Sequence, residues 1–302
     1  MVDYYDGEQV RQVLRMEELI PAMEEALIAF STGDVTQPVR TMLSIERAKG
    51  FFAIMPAVAA GAMGTKLVTF YPENAGTDHD THQAIIALFD PVTGTPLALM
   101  DGALITEMRT AAVSAVATKA MAAPDAKILA ILGSGTQARS HLEALSLVRD
   151  FEEIRVWSRT PESAKTFADE VDTPARIKAM SAEDAVRGAD VVVTVTSSKT
   201  PVLKGAWLKE GAHVNAVGAC LPDWRELDDA VMSNVIIADS RDAALTESGD
   251  IILSGAAIHG EIGDVLTGKI SAEVERITVF KSLGLAIEDV ASAQLVYNRM
   301  QR

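Results

Sequence analysis

A single cysteine, Cys220, in a chain of 302 residues rules out an internal disulfide framework. Aromatic residues make up only 5% of the chain. No apolar run reaches the ~20 residues a membrane helix needs, because Asp, Lys or Gly interrupts each candidate. Basic residues are in deficit, 27 Lys and Arg against 42 Asp and Glu, and the formal charge of −15 repels polyanions. Nucleic acid and anionic membranes are therefore excluded as expected partners. The stretch MVDYYDGEQV lacks the basic-then-apolar pattern of a secretory signal, so a cytoplasmic location is expected. Repeats and low-complexity tracts are also missing. What the chain does have is apolar material, 48% of its residues, enough for a sizeable core at a length that favours two domains over one.

From Val10 to Phe30 apolar residues recur at helical spacing, and STGDVTQPVRT then supplies turn residues. Between Thr41 and Leu99 the runs GFFAIMPAV, TKLVTFY, QAIIALFD and TPLALMDG read as strands of a small mixed or antiparallel sheet, with PVTGTP as a hairpin turn. LITEMRTAAVSAVATKAMA is an Ala-rich helix bridging the two halves. After it, ILAILGSG, EIRVWSRT, ARIKAM, DVVVTVTSS, HVNAVGA and VIIADS are short apolar strands separated by helix-like stretches. That alternation predicts a parallel, doubly wound sheet. SLGLAIEDVASAQLVYNRM reads as a last amphipathic helix, whose packing partner periodicity does not reveal.

In AKILAILGSGTQARSHLEAL, Gly133, Gly135 and Ala138 form G-x-G-x-x-A immediately after a buried strand and at the start of a helix. Gly133 permits the tight turn, Gly135 lets the backbone approach a pyrophosphate at the helix N-terminus, and Ala138 allows helix to pack on strand. The plainer alternative is that the glycines serve only the turn. The second strand of such a domain ends where the cofactor's ribose is recognised, and here it reads VWSRT. Ser158, Arg159 and Thr160 offer a guanidinium and two hydroxyls with no acid, which favours NADP(H) over NAD(H). Arg159 as a solvated surface residue remains the alternative.

In the first half, Arg40, Lys66 and Arg109 each lie in largely apolar surroundings, where a cation needs a designated anion. A small carboxylate would suit them together; internal ion pairing or snorkelling would explain each one singly. His79 and His82 in TDHDTHQA have no third His or Cys nearby, so no metal is expected. His79 reads as part of a solvated acidic loop and His82 as a hydrogen-bonding residue. Nothing marks His141, His213 or His259 as a general base, and there is no G-x-S-x-G nucleophile motif.

TGTPLALMDGALITEMRTAAVSAVATKAMA, ILGSGTQARSHLEAL, VNAVGACLPDWRELDD and TVFKSLGLAIEDV occur in this order. Together they resemble the ornithine cyclodeaminase and μ-crystallin family across nearly the whole chain. RTPESAKTFAD, GAHVNAVGA, PDWRELDD, ALTESGD and VFKSLG bring it nearest to the μ-crystallin branch. The resemblance implies an α/β fold in which a Rossmann doubly wound parallel sheet (residues 121–285) accompanies a smaller α+β substrate and dimerisation domain (1–120). The C-terminal helix (286–302) is expected to return to that smaller domain, and the molecule is expected to be a homodimer. It further implies that Arg40, Lys66 and Arg109 hold the substrate carboxylate. Cofactor contacts are expected from Thr81, His82, Arg109, Thr110, Gly133, Ser134, Gly135, Thr136, Gln137, Ser158, Arg159, Thr160, Thr196, Ser197, Val217 and Ser282.

Members of that family that cyclise ornithine carry an aspartate where this chain has Cys220, and an acid shortly before their Met-Pro, where FFAIMPA has Ala53. Stripping a proton from the substrate amine needs such acids, so cyclodeamination is not expected here. The thiol has no cation among the residues directly after it, although Arg225 follows, and it reads as lining the substrate pocket rather than as a nucleophile. The reaction expected is NADPH-dependent reduction of the C=N bond of a 2-imino acid, such as 1-pyrroline-2-carboxylate or 1-piperideine-2-carboxylate. Lys66, Arg40 and Arg109 would act by positioning, with Lys66 or a water as proton donor. Ornithine cyclodeaminase, alanine dehydrogenase, iminosuccinate reductase and a non-enzymatic small-ligand carrier are the rival readings.

Overall fold

The computed structural model describes residues 2–302. The chain forms two compact units: residues up to Arg109 together with Gly284–Arg302, and Thr110–Leu283.

The first unit is built on a six-stranded sheet of β1 (Asp3–Tyr5), β2 (Thr41–Ile45), β3 (Gly50–Ala59), β4 (Ala62–Phe70), β5 (His82–Phe89) and β6 (Pro96–Asp101), in the order β1-β6-β5-β4-β3-β2. β1 runs parallel to β6; every other pair is antiparallel. The hairpin at PVTGTP is tied by Asp90, whose carboxylate accepts the N–H groups of Val92 and Thr93, with Gly94 left-handed at φ 72°. Alternation sends Ala53, Met55, Ala57, Val68, Ile86, Leu88 and Met100 into the core. The C-terminal helix, Ala286–Met300, packs against β3, β4, β5 and the helix Met16–Thr32. Leu43, Val58, Leu67, Ile85 and Leu99 stay exposed on the same sheet.

The single helix expected from Val10 to Phe30 is two, Gly7–Val13 and Met16–Thr32. Leu14 and Arg15 are extended between them, and the Arg15 guanidinium donates to the freed carbonyls of Arg11 and Gln12. Apolar spacing survives such a break because both helices keep facing one core, so periodicity alone does not detect it.

The second unit holds eight parallel strands: β7 (Ile128–Leu132), β8 (Glu153–Trp157), β9 (Arg176–Ala179), β10 (Val191–Thr194), β11 (His213–Ala216), β12 (Val235–Ala238), β13 (Gly260–Glu261) and β14 (Thr278–Lys281). Their order is β13-β12-β14-β11-β10-β7-β8-β9. This is the doubly wound α/β sheet expected from the alternating pattern. β10, β11, β12 and β14 are buried at every residue, as strands covered on both faces must be. The chain runs outward from β7 to β9, then crosses back to β10 on the other side of β7. Ligands of such sheets bind beyond the carboxyl ends of the strands at this reversal. Among the described residues no helix is long and apolar enough to cross a membrane.

Candidate active site

In the first unit, Lys66 sits in mid-β4, paired with Met55 and Ile86, and the strand's alternation turns it to the buried face with Gly64 and Val68. It is only 2% exposed, a costly place for an ammonium without an anion. The anion is Asp289, whose Oδ2 lies 2.6 Å from Lys66 Nζ, and Thr106 Oγ1 accepts from the same nitrogen at 3.3 Å. Thr106 and Arg109 are three apart in the helix Gly102–Met121 and so share a face. Arg109 donates from Nε to Asp289 Oδ1 at 3.0 Å and from Nη1 to Glu288 Oε2 at 2.8 Å. Both carboxylates stand in the first turn of the C-terminal helix, where the helix dipole favours negative charge. Arg40 completes the group by donating from Nη2 to the Gly284 carbonyl at 3.0 Å. Gly284 itself is left-handed at φ 85°.

The three cations named from sequence are thus gathered in one place, and the internal pairing that sequence left open is present for Lys66 and Arg109. Burial brings the Lys66 ammonium down to about 8; Asp289 opposes the shift, while Arg109 and Arg40 add to it. For Asp289 burial alone would raise the carboxyl, but Arg109 and Lys66 hold it below its ordinary value. His82 opens β5, and burial followed by the charges of Lys66 and Arg109 lowers it to about 4, so it is a neutral imidazole at pH 7. Thr81 precedes it, with its carbonyl accepting the Tyr71 N–H. His79 is exposed in the preceding loop. An ammonium has three donors. On Lys66 one of them goes to Thr106 Oγ1, and Asp289 Oδ2 faces the ammonium as an ion pair. Three cations gathered in this way suit a small monocarboxylate.

In the second unit the glycine loop follows β7. Gly133 takes φ 131°, and a Cβ there would lie 2.7 Å from the Val195 carbonyl, so both conformation and space demand glycine. A Cβ on Gly135 would meet no protein atom within 4 Å. The helix Thr136–Ser146 begins with no side-chain cap and no acid in its first turn, leaving its N–H groups available to an anion; Ala138 is fully buried against the sheet. Gln137 Oε1 and Ser282 Oγ are buried atoms with no hydrogen-bond partner among the described residues. After β8, Ser158 is half-buried while Arg159 and Thr160 are exposed. Thr160 starts the helix Pro161–Glu170 without a capping bond from its hydroxyl. Open space over Gly135, uncapped N–H groups and orphaned buried polar atoms fit a dinucleotide, which Gly133–Gln137, Ser158–Thr160 and Ser282 would hold.

Thr196, Ser197 and Val217 belong to the loops after β10 and β11, and a residue that sequence did not single out joins these loops. Glu226 is fully buried and accepts from Thr194 Oγ1 at 2.8 Å, the Thr196 N–H at 2.6 Å and the Gly218 N–H at 2.7 Å. Burial raises its carboxyl despite the nearby Lys281 charge. Lys281 pairs with Asp250 at 3.1 Å, both without solvent exposure. Cys220, half-buried, follows these loops and donates its N–H to the Gly218 carbonyl. Thr110 is buried in the helix Gly102–Met121. Among the described residues no group of three or more His, Cys, Asp or Glu side chains is placed to hold a metal ion.

Comparison with known proteins identifies the family of this chain. The model of the ornithine cyclodeaminase/mu-crystallin family matches residues 4–302. The ketimine reductase mu-crystallin of Mus musculus is 49% identical over 302 residues, covering 98% of this chain and 96% of that protein. Thermococcus litoralis Delta(1)-pyrroline-2-carboxylate reductase, solved in complex with NADH and L-proline, superposes with a TM-score of 0.95 at 38% identity, covering 100% of this chain and 98% of that one. An archaeal alanine dehydrogenase dimer with bound NAD gives the same TM-score, 0.95, at 35% identity, covering 99% and 96%. This chain is a member of the ornithine cyclodeaminase/mu-crystallin family.

Proposed function

We propose that this protein is an NADPH-dependent reductase of the C=N bond of cyclic 2-imino acids, with 1-pyrroline-2-carboxylate and 1-piperideine-2-carboxylate as the first candidates. The observation that carries the reading is the cluster of Arg40 with the buried Lys66 and Arg109 in a chain so similar to two named imine reductases, one of them bound to NADH and L-proline. Cyclodeamination is disfavoured because Cys220 and Ala53 stand where an acid would be required.

A reduced nicotinamide, when bound, supplies a hydride to the imine carbon. The chain's own contributions are positional and electrostatic. Arg40, Lys66 and Arg109 bind and orient the substrate carboxylate. Lys66, charged below about 8, can deliver a proton to the imine nitrogen. His82 stays neutral from about 4 upward and over that span leaves the cluster's charge unchanged. Arg159 and the hydroxyls of Ser158 and Thr160 favour the 2′-phosphate of NADPH over an unmodified ribose. The exposed apolar side chains Leu43, Val58, Leu67, Ile85 and Leu99 on one sheet suit a second copy of this chain, giving a homodimer. A cytoplasmic protein working on free metabolites fits the acidic composition.

The test is loss of the reduced-nicotinamide absorbance with each cyclic ketimine under NADPH or NADH, followed by ornithine with NAD and by pyruvate with ammonia. Ketimine-dependent NADPH oxidation without turnover of the other substrates is the expected result. Ornithine turnover, or consumption of cofactor only with pyruvate and ammonia, would overturn the reading. Silence with every substrate would leave a ligand carrier as the better description.

A further inference from the structure

We propose that Asp289 is a positioning residue that acts through Lys66 and Arg109, its single carboxylate holding the two cations side by side so that they receive the substrate as one unit. The inference rests on the reductase reading above and adds to it a residue that never touches the reacting atoms.

The geometry carries the argument. Asp289 gives one oxygen to each cation, Oδ2 to Lys66 Nζ at 2.6 Å and Oδ1 to Arg109 Nε at 3.0 Å. Neither group is solvated: Lys66 is 2% exposed and Asp289 is fully buried. Two cations forced together away from water repel each other strongly, and a shared carboxylate is the arrangement that cancels this repulsion. The other groups facing Lys66 do not replace it. From the helix Gly102–Met121 come the Thr106 hydroxyl and Arg109, from the segment before β2 comes Arg40, and from β5 comes His82. Two of these are positive and two are neutral. Glu288 is committed to the far side of the Arg109 guanidinium, at Nη1.

Removing the Asp289 charge therefore changes the Lys66 proton. With Arg109 and Arg40 remaining and the carboxylate gone, the ammonium loses the one opposite charge that touches it among the described residues. Its titration midpoint falls by about 1 to 3 pH units, the usual effect of one close opposite charge. At pH 7.5 the variant would then carry a neutral amine where the unaltered protein carries a cation. Below the new midpoint the cation returns, and the defect shrinks. A purely structural loss would not depend on pH in this way.

The experiment compares the unaltered protein with Asp289→Asn and Asp289→Glu, each measured for kcat and KM toward the cyclic ketimine from pH 5.5 to 9. Lys66 is titrated in parallel by NMR after reductive ¹³C-methylation, with Lys66→Arg identifying its signal. An inactive unaltered protein would count against the reductase reading alone, since the NMR midpoint still tests the Asp289–Lys66 coupling. The expected result for Asp289→Asn is a KM raised at least tenfold at pH 7.5 that recovers towards the unaltered value at pH 5.5, with the Lys66 midpoint lowered. Asp289→Glu keeps the charge and moves it by one methylene. It should retain the midpoint and show a pH-independent rise in KM. An unchanged Lys66 midpoint in folded Asp289→Asn, or a KM defect equal at all pH values, overturns the proposal. If Asp289→Asn fails to fold, Asp289→Glu decides: a retained midpoint with a raised KM supports the proposal, and an unaltered KM overturns it.

Discussion

The guanidinium of Arg109 lies against the bare Cα of Gly284, so close that a Cβ there would stand 2.4 Å from Nη1. Gly284 meets two demands at once, a left-handed φ of 85° and the passage of a side chain that must reach Glu288 and Asp289.

Gly284→Ala should therefore harm the site more than the fold. Placing alanine at a positive φ destabilises by roughly 1 kcal/mol or more. Displacing Arg109 should in addition raise KM for the imino acid by about tenfold or more, equivalent to ~1.4 kcal/mol of binding. Steady-state kinetics alongside urea unfolding separates the two effects. An unaltered KM in the folded variant would mean that Arg109 tolerates displacement.

The two glycines of the loop after β7 should respond differently to alanine. Gly133→Ala meets the Val195 carbonyl and a positive φ, and should lower both thermal stability and NADPH affinity. Gly135 has φ −84° and open space beyond it, so Gly135→Ala should leave the melting temperature of the ligand-free protein within a degree or two while weakening NADPH binding. Calorimetry of the ligand-free protein and fluorescence titration with NADPH check both. Equal affinity for NADPH in Gly135→Ala would argue that this loop serves only the turn.

Cofactor choice should follow Arg159. It is exposed, and no ion-pair partner holds it among the described residues. Arg159→Ala should raise KM for NADPH by about ten- to a hundredfold, the loss of one or two charge-assisted hydrogen bonds, and leave KM for NADH nearly unchanged. A parallel rise for both cofactors would remove Arg159 from phosphate recognition.

Acid should weaken the second unit through its buried imidazoles. His141 is held between Ser114 and the Gln137 carbonyl, and His213 between Thr278 and Asn215. Burial lowers each to about 4. In the unfolded chain an imidazole titrates near ~6.5, so between the two values the unfolded state takes up protons that the folded state refuses. The contribution is intact above ~6.5 and is lost as pH falls through the folded value, roughly 3 kcal/mol for each histidine. Urea unfolding at successive pH values should show this decline. His213→Gln should lose less stability than the unaltered protein between pH 7 and pH 4.5, and an equal loss would place the acid sensitivity elsewhere.

The parallel sheet, the glycine loop and the three cations were legible because each is written locally. Apolar runs of strand length recur between helical stretches, glycines sit at fixed offsets, and single cations stand among apolar neighbours. What escaped was long-range. Glu288 and Asp289 in AIEDVASAQL look like the solvated first turn of an amphipathic helix, and nothing nearby reveals that both are fully buried. Glu226 in PDWREL likewise gives no local hint that it ties Thr194, Thr196 and Gly218 together. β1 was missed because DYY is too short and too polar to announce a strand, and it depends on pairing with β6. A buried charge could have been suspected from the excess itself: Lys66, at a core-facing strand position, requires an anion from somewhere in the chain.

Arg109 and Asp289 are 180 residues apart. On a ribosome adding about 5–20 residues per second, roughly 10 to 40 s pass between the emergence of the cation and that of its counter-charge. Thr110–Leu283 emerges within that interval as one continuous segment, while the first unit still lacks the helix that covers β3, β4 and β5. Synthesis therefore imposes an order of events, with the anion receptor closing last.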